Sequence, residues 1–258
     1  MTKDVMGAIV EQLSHSAVGL IRRVEDKGSE VVGSGVLVRI DKRRGILTAG
    51  HVAELFKPES DIGWVRFTSG SRHRTLLNLT DAQTLIFESS SKWTKTDADL
   101  AFIFLGPETA SSVEARGVFI NMELNQEKIE GASPEGRCVD VIFGLVKEYS
   151  GKPFIEDGEF VSDMRAVAYA GDIRNKENGL YEVELRESDL QKLPLSFGGV
   201  SGGGLWRVYF VEKQGEGEIT GIMLAGIASW EQGKTIACQG YERIYQGLVL
   251  GVREKLPQ

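Results

Sequence analysis

Residues 31–51 read VVGSGVLVRIDKRRGILTAGH, and this stretch decides the fold class. Apolar and β-branched residues fill Val31–Ile40 and Gly45–Ala49, as is typical of β-strands. The charged sequence Asp41–Arg44 lies between the two runs, which predicts a hairpin turn whose basic cluster is solvated. The stretch therefore predicts two strands joined by a turn, and the second strand ends just before a histidine.

Similar short runs occur along most of the chain, each bounded by Gly, Asp, Asn or Ser. They are Val18–Val24, Ile62–Phe67, Arg74–Leu79, Thr84–Phe87, Leu100–Leu105, Cys138–Val146, Leu180–Arg186, Gly204–Glu212 and Glu218–Trp230. The strand-poor stretch from Gly106 to Arg137 is interpreted as the connection between two groups of strands. The polar segment that follows, up to about Asn178, is interpreted as rich in loops. Many short strands in two groups predict barrels or a sandwich rather than a βαβ fold.

Helices are predicted only at the two ends of the chain. Apolar side chains in residues 4–14 recur at the spacing of a short amphipathic helix. Near the C-terminus, Ile244, Leu248, Val252 and Leu256 follow one another every four residues, which predicts a helix over 241–256. The N-terminal helix is expected either to pack on the barrel or to contact a regulatory partner, for which it is the best candidate in the chain.

Composition and charge narrow the class of protein. The chain has 258 residues and a net charge of −7, which argues against nucleic acid as a partner. Its longest uncharged stretch, Ile219–Trp230, is too short to cross a bilayer. No secretory signal is recognised at the N-terminus. Both cysteines, Cys138 and Cys238, lie in apolar contexts and are interpreted as buried free thiols, so a cytoplasmic location is expected.

Three segments carry residues suited to chemistry. They are Gly45–Val52, which contains His51, Asp97–Ile103, which begins with two acids, and Gly198–Gly204, which reads GGVSGGG around Ser201. Each alone has an ordinary structural interpretation, such as a strand end or a glycine-rich turn. Together they supply what nucleophilic catalysis requires, because a serine hydroxyl reacts only when a neighbouring base accepts its proton.

Other classes of site fit these residues less well. The glycine-rich loop also matches the nucleophile elbow of the α/β-hydrolases, but that order requires a histidine after the serine, and no histidine follows Ser201. A phosphate-binding loop would end in Gly-Lys-Ser or Gly-Lys-Thr, which is not the case. Two distant cysteines and three scattered histidines do not predict a metal site, and no cofactor is expected.

The three segments resemble the chymotrypsin-like serine peptidases, the trypsin-like family in the broad sense. In that family a strand ends in Thr-Ala-x-His, a second begins with Asp-hydrophobic-Ala, and the nucleophile lies in Gly-x-Ser-Gly-Gly. The resemblance implies a catalytic triad of His51, Asp99 and Ser201. Asp97 is the rival acid, and the position directly before Leu-Ala favours Asp99. The backbone N–H groups of Gly199 and Ser201 would form the oxyanion hole.

The resemblance also implies where a substrate binds. Ser229 and Trp230 would end a strand beside which the substrate pairs. Glu231 would follow at the pocket entrance, where it would either crowd the entrance or attract a basic residue, in conflict with the next cue. Leu195, six residues before Ser201, aligns with the pocket floor, and it predicts an apolar or small side chain in the pocket. Val200 stands where the digestive enzymes have the acid that pairs with a freed N-terminus, so we expect activity without N-terminal processing.

The sequence thus predicts a mainly β protein with two six-stranded antiparallel barrels, a short N-terminal helix and a C-terminal helix. Residues 16–120 would form the first barrel with His51 and Asp99, and residues 130–256 the second barrel with Ser201 and the last helix. The expected function is that of a serine endopeptidase acting on proteins or peptides through an acyl-enzyme. Two alternatives remain, an inactive module that binds an extended peptide and an esterase or acyl-transfer enzyme.

Overall fold

The structure is a computed structural model that describes residues 3–24, 28–56, 62–66, 82–87, 98–151, 154–156, 159–161, 164–187, 192–213 and 216–256. The predicted mainly β class is confirmed. The strands are β1 Ala17–Val24, β2 Gly28–Ile40, β3 Arg43–Thr48, β4 Ile62–Arg66, β5 Gln83–Phe87, β6 Leu100–Phe104, β7 Ile120–Asn121, β8 Arg137–Leu145, β9 Phe154–Glu156, β10 Glu159–Val161, β11 Ala166–Glu177, β12 Leu180–Leu185, β13 Gly204–Lys213, β14 Glu216–Gln232 and β15 Thr235–Gly240.

The first sheet is built around the hairpin of the opening sequence stretch. Its strands follow the order β4-β1-β2-β3-β6-β5 with antiparallel pairing, and the short β7 pairs in parallel with β2. The β2–β3 turn is tight, and Asp41 at its start has a φ of 52°. The predicted strand Arg74–Leu79 lies outside the described residues.

The second sheet forms a ring of paired strands. The order is β11-β12-β15-β14-β13-β8, and β8 also pairs with β11, so the ring closes. The prediction of a loop-rich segment up to about Asn178 is wrong, because β11 occupies Ala166–Glu177. Its outer residues are polar and pair across strands, as in the ion pair of Arg174 with Glu184. These polar residues interrupt the apolar alternation by which a strand is recognised in a sequence.

The apolar residues form three clusters that follow from alternation along the strands. On β2, Leu37 packs inside the first sheet, whereas its neighbours Val36 and Val38 face a cluster shared with the second sheet. On β8, Ile142 likewise packs inside the second sheet while Phe143 faces the shared cluster. The strands are therefore buried on both faces, which positions the two sheets against each other.

The helices pack on two of these clusters, the shared cluster and the one inside the first sheet. They are α1 Lys3–Ser14, α2 Gly50–Ala53, α3 Pro107–Glu114, α4 Met122–Glu130 and α5 Leu250–Lys255, the last continuing a π-helical segment, Glu242–Val249. The predicted terminal helices are confirmed. Val5, Ile9 and Leu13 of α1 are buried in the shared cluster, so its apolar face packs on the protein's own core. The proposed partner contact through α1 remains a prediction.

The basic cluster at the β2–β3 turn is not solvated as predicted. Arg43 is only 3% exposed, and its guanidinium donates to the carbonyl of Leu256 (2.7 Å) and pairs with Asp41 (3.1 Å). Lys42 is exposed, whereas Arg44 forms an ion pair with Glu114. Arg43 therefore fastens the C-terminal end of the chain to the first sheet.

The two cysteines are free, but only Cys238 is buried as predicted. Burial raises the pKa of the Cys238 thiol well above its ordinary value. Cys138 is exposed, because it lies near the beginning of β8, where the strand residues are still on the surface. Within the described part of the chain, no helix combines the length and the apolar character needed to cross a membrane.

Candidate active site

The antiparallel pairing of β3 with β6 brings His51 next to Asp99. Thr48, the last residue of β3, lies opposite Ala101 of β6, so the residues after β3 meet the residues before β6. Ala49 is extended, and the short helix α2 then carries His51. Two of the sequence-predicted site residues are therefore adjacent because of strand register alone.

Asp99 contacts His51 through both carboxylate oxygens. The backbone N–H of His51 donates to Oδ1 (2.9 Å), and Nδ1 of the ring lies 2.9 Å from Oδ2. An ionised carboxylate only accepts hydrogen bonds, so this contact assigns the ring hydrogen to Nδ1. In a neutral ring with this tautomer, Nε2 carries the lone pair. Asp99 is 4% exposed, so water competes little for these bonds.

The loop that carries Ser201 depends on two glycines with positive φ. Gly199 has a φ of 95° and Gly202 a φ of 86°, a region that residues with a Cβ rarely adopt. A Cβ on Gly202 would lie 2.0 Å from the Ser34 carbonyl oxygen and 2.1 Å from Thr48 Oγ1. No other residue type fits there without displacing the backbone of the first sheet.

Hydrogen bonds of the same loop orient two N–H groups. The Gly198 carbonyl accepts from the N–H of Lys147 (2.8 Å), and the Val200 carbonyl accepts from the N–H of Gly203 (2.7 Å). In a planar trans peptide the N–H points away from the carbonyl, so the N–H groups of Gly199 and Ser201 point away from these partners. Among the residues that the structure describes, neither N–H donates to a protein acceptor.

The Ser201 hydroxyl donates to the Ser229 carbonyl of β14 (2.8 Å). Ser229 lies at a bulge, since the β14–β15 register shifts between Ala228 and Trp230. Its own hydroxyl is buried and accepts from Gln239 Nε2 (3.0 Å). Because a hydroxyl has one hydrogen, the observed rotamer directs it to β14, and a rotation about the Cα–Cβ bond is needed to offer it to imidazole.

His51 and Ser201 line one open pocket of about 350 Å³. Most of its other lining is apolar, and it includes Ser229, Trp230 and Glu231, which the sequence predicts at the substrate site. The lining residues are Phe197, Gly198, Val200, Ala228, Ser229, Trp230, Glu231 and Ile236. The loop on which Phe197 and Gly198 lie and the strand β15 that supplies Ile236 come together only in the folded chain, so no local sequence signal identifies them.

Two sequence-predicted pocket residues have other positions or roles. Leu195 is 99% exposed and does not line the pocket, so the prediction that it forms the floor is wrong. Counting six residues back from Ser201 fails because the loop turns outward there. Glu231 does line the pocket, but its carboxylate accepts from Ser196 Oγ (2.9 Å) and from the N–H of Phe197. These two hydrogen bonds attach the loop with Ser196 and Phe197 to the end of β14, and this loop forms one side of the pocket.

Asp97, the rival acid, lies outside the described residues.

Comparison of the chain with protein-family models gives no match, and comparison with curated protein sequences gives none either.

Proposed function

We propose that this protein is a serine endopeptidase of the chymotrypsin-like, double-barrel type with His51, Asp99 and Ser201 as its triad. The observation that carries the proposal is the pairing of both Asp99 oxygens with His51, together with the presence of His51 and Ser201 in the lining of one pocket. This is the arrangement in which imidazole acts as a general base toward a serine hydroxyl.

The reaction begins when Ser201 Oγ rotates from the Ser229 carbonyl toward His51 Nε2. Nε2 takes the hydroxyl proton while Oγ forms a bond to the substrate carbonyl carbon. The scissile C–N bond then breaks, and the proton passes from Nε2 to the leaving amine. Water repeats the sequence on the acyl-enzyme: it gives its proton to Nε2, and Ser201 recovers one when the ester breaks.

The N–H groups of Gly199 and Ser201 stabilise the negative oxygen that forms in each step. Their orientation is fixed in advance by the loop's own hydrogen bonds, so they need no rearrangement as charge develops. The rotation of Ser201 also frees the Ser229 carbonyl. That carbonyl is then an acceptor for a substrate backbone N–H running alongside β14, as in strand addition.

The pocket lining favours an apolar substrate side chain. Phe197, Val200, Ala228 and Ile236 present hydrocarbon, and burial of apolar surface supplies affinity. Among the lining residues that the structure describes, the one acid is Glu231, which is already bonded to Ser196 and Phe197, so it is a poor partner for a basic side chain. An apolar substrate side chain is therefore proposed from the residues that line the pocket and not from Leu195.

An inactive module that binds an extended peptide is the second candidate. One observation favours it, namely that the Ser201 hydroxyl donates to Ser229 rather than to imidazole. In an inactive module this bond would persist with peptide bound, and no covalent chemistry would follow.

Peptide hydrolysis separates the two candidates. We expect the wild-type protein to cleave peptides after apolar residues and Ser201→Ala to lose that activity by at least about 10³-fold. Ser111→Ala is the matched control, because it removes a hydroxyl on α3 that only donates to the Pro107 carbonyl. Binding of peptides without cleavage by the wild-type protein would favour the inactive module, and cleavage of esters alone would favour the esterase.

A further inference from the structure

Ser34 of β2 connects the first sheet to the loop that carries Ser201. It is 0% exposed and lies between two glycines. Its hydroxyl donates to the Gly199 carbonyl (2.7 Å) and accepts from the N–H of Leu145 (2.8 Å). Its backbone N–H donates to the Ser201 carbonyl (2.7 Å). One buried residue thus fixes two of the loop's peptide units.

These two peptide units alternate with the pair that Lys147 and Gly203 hold. The Gly198 and Val200 carbonyls accept hydrogen bonds from Lys147 and Gly203, which adjoin strands of the second sheet. The Gly199 and Ser201 carbonyls accept hydrogen bonds from Ser34, which belongs to the first sheet. Four successive peptide planes are therefore oriented by hydrogen bonds to their carbonyls, and two of them are also held by their N–H groups, since Val200 donates to the Phe197 carbonyl (2.9 Å) and Gly202 to the Ala228 carbonyl (2.7 Å). The Gly199–Val200 plane lies between the two planes that carry the Gly199 and Ser201 N–H groups, so its rotation would change the orientation of these N–H groups relative to each other.

The Ser34 hydroxyl is the part of this arrangement that a side-chain substitution removes. The residue before Ser201 is Val200, whose side chain is buried among apolar neighbours and has no polar atom with which to fix the loop. The Ser34 carbonyl also accepts from Thr48 Oγ1 (2.7 Å), at the end of the strand that leads to His51. The same residue therefore contacts the structural supports of both His51 and Ser201.

We propose that Ser34 is a positioning residue that holds the Gly199–Ser201 turn so that both N–H groups point at the substrate oxyanion. The proposal rests on the proposed peptidase function. Ser34 acts through the backbone of Gly199 and has no contact with substrate. Its hydroxyl matters most when charge develops on the substrate oxygen, so removing it affects the transition state more than substrate binding.

The test compares Ser34→Ala and Ser34→Cys with the wild-type protein. Alanine removes the hydroxyl, and cysteine fills the same space with a weak hydrogen-bond donor, so a packing defect and a lost bond are separated. We expect kcat to fall by about 10- to 100-fold in both variants with KM changed by less than about threefold, because a misaligned oxyanion donor weakens the transition state selectively. Affinity for a peptidyl trifluoromethyl ketone, which forms a tetrahedral oxyanion, should fall in parallel with kcat.

Ser14→Ala is the matched control, since Ser14 is also a buried serine and its hydroxyl donates only to the Glu11 carbonyl at the end of α1. Hydrogen exchange of the Leu145 amide checks the geometry independently of activity, and its protection should decrease in Ser34→Ala. If Ser34→Ala does not fold, the kcat and ketone affinity of Ser34→Cys alone test the proposal.

Either folded variant with kcat within about twofold of Ser14→Ala would overturn the proposal. An equal loss of affinity for substrate and for the ketone would also overturn it, because it would indicate general disorder of the site. Failure of the peptidase proposal has a different signature, namely a folded wild-type protein without turnover, and in that case the role proposed for Ser34 fails with it.

Discussion

At the scale of single residues, Asp99 determines which nitrogen of His51 can act as a base. Both of its oxygens are engaged by His51, one by the backbone N–H and one by Nδ1. The first contact fixes the position of the acid, and the second fixes the tautomer. An asparagine at this position has the same shape but would place an NH₂ group where Oδ2 lies. That group donates a hydrogen bond, so it would favour the opposite tautomer of His51, in which Nε2 carries the hydrogen.

Asp99→Asn should lower kcat on the order of 10⁴-fold while leaving the protein folded, as the corresponding change does in a Ser-His-Asp triad. Steady-state kinetics on a peptide substrate measures it. Asp97→Asn is the natural comparison, because that residue is the rival acid in the sequence. A larger loss from Asp97→Asn than from Asp99→Asn would reverse the assignment of the two acids.

Gly202 is the residue at which the loop tolerates least change. An alanine there would adopt an unfavourable φ, which costs about 1–3 kcal/mol, and its Cβ would collide with Ser34 and Thr48. We expect Gly202→Ala to lose both activity and unfolding free energy. Gly7→Ala is the control, because a Cβ at that position of α1 meets no atom within 4 Å and alanine favours helix. Full activity in Gly202→Ala would contradict the observed loop conformation.

The residues of the candidate site differ in how far the sequence predicts them. His51, Asp99 and Ser201 lie in local patterns, two at strand ends and one among glycines, so a short stretch of sequence is enough to nominate them. Ser34 is bonded to partners 165 and 111 residues away, which no local pattern records. Leu195 was misplaced for the same reason, since the path of a loop in space does not follow from counting residues.

At the scale of elements, the C-terminal helix is held by charge as well as by its apolar face. Arg43 donates to the carbonyl of Leu256 just after α5, where unpaired carbonyls need a donor. Arg253 of the same helix pairs with Asp41 (3.0 Å) and with Glu123 (2.8 Å) of α4. The β2–β3 turn, α4 and α5 are thereby joined in one network.

Arg43→Met should reduce the free energy of unfolding by about 2–4 kcal/mol, because it removes a buried, charge-assisted contact and leaves the Leu256 carbonyl unpaired. Urea denaturation measures the change. Lys42→Met alters the exposed neighbour in the same turn and should change stability by less than about 0.5 kcal/mol. Equal effects of the two substitutions would show that the network does not stabilise the fold.

The same network predicts a dependence of stability on pH. A hydrogen bond from Arg253, aided by its charge and that of Arg43, holds the pKa of the Asp41 carboxyl below its ordinary value of 3.8, although burial opposes this. A lowered folded-state pKa contributes stability above about pH 4, and that stability is lost as the pH falls through the folded-state pKa. The thermal midpoint should therefore fall more between pH 7 and pH 3 for the wild-type protein than for Asp41→Asn. Parallel curves for the two proteins would contradict this linkage.

Prediction of elements succeeded where apolar alternation is strong and failed where polar residues occupy an outer face. The strands around the β2–β3 hairpin and both terminal helices follow from apolar spacing. The sequence predicts loop where β11 lies because Asp172 and Arg174 interrupt the apolar pattern, yet they pair with Arg186 and Glu184 across the sheet. Cross-strand pairing makes such a strand stable, and the partner strand is not visible from the segment itself.

At the scale of the whole molecule, the candidate site lies where the two groups of strands meet. The first sheet supplies His51 and Asp99, and the second supplies Ser201 and the β14 segment with Ser229. The apolar cluster shared by both sheets and the helices fixes their relative position. The proposed chemistry requires residues from both halves to come together, so we expect it to depend on the complete fold.

Covalent labelling with a peptidyl fluorophosphonate, followed by mass-spectrometric mapping of the adduct, tests the proposed nucleophile most directly. We expect one adduct per chain, located on Ser201, and none on the folded Ser201→Ala variant, because only a serine activated by imidazole attacks phosphorus rapidly. A folded wild-type protein that forms no adduct, or forms it on another serine, would contradict the triad of His51, Asp99 and Ser201.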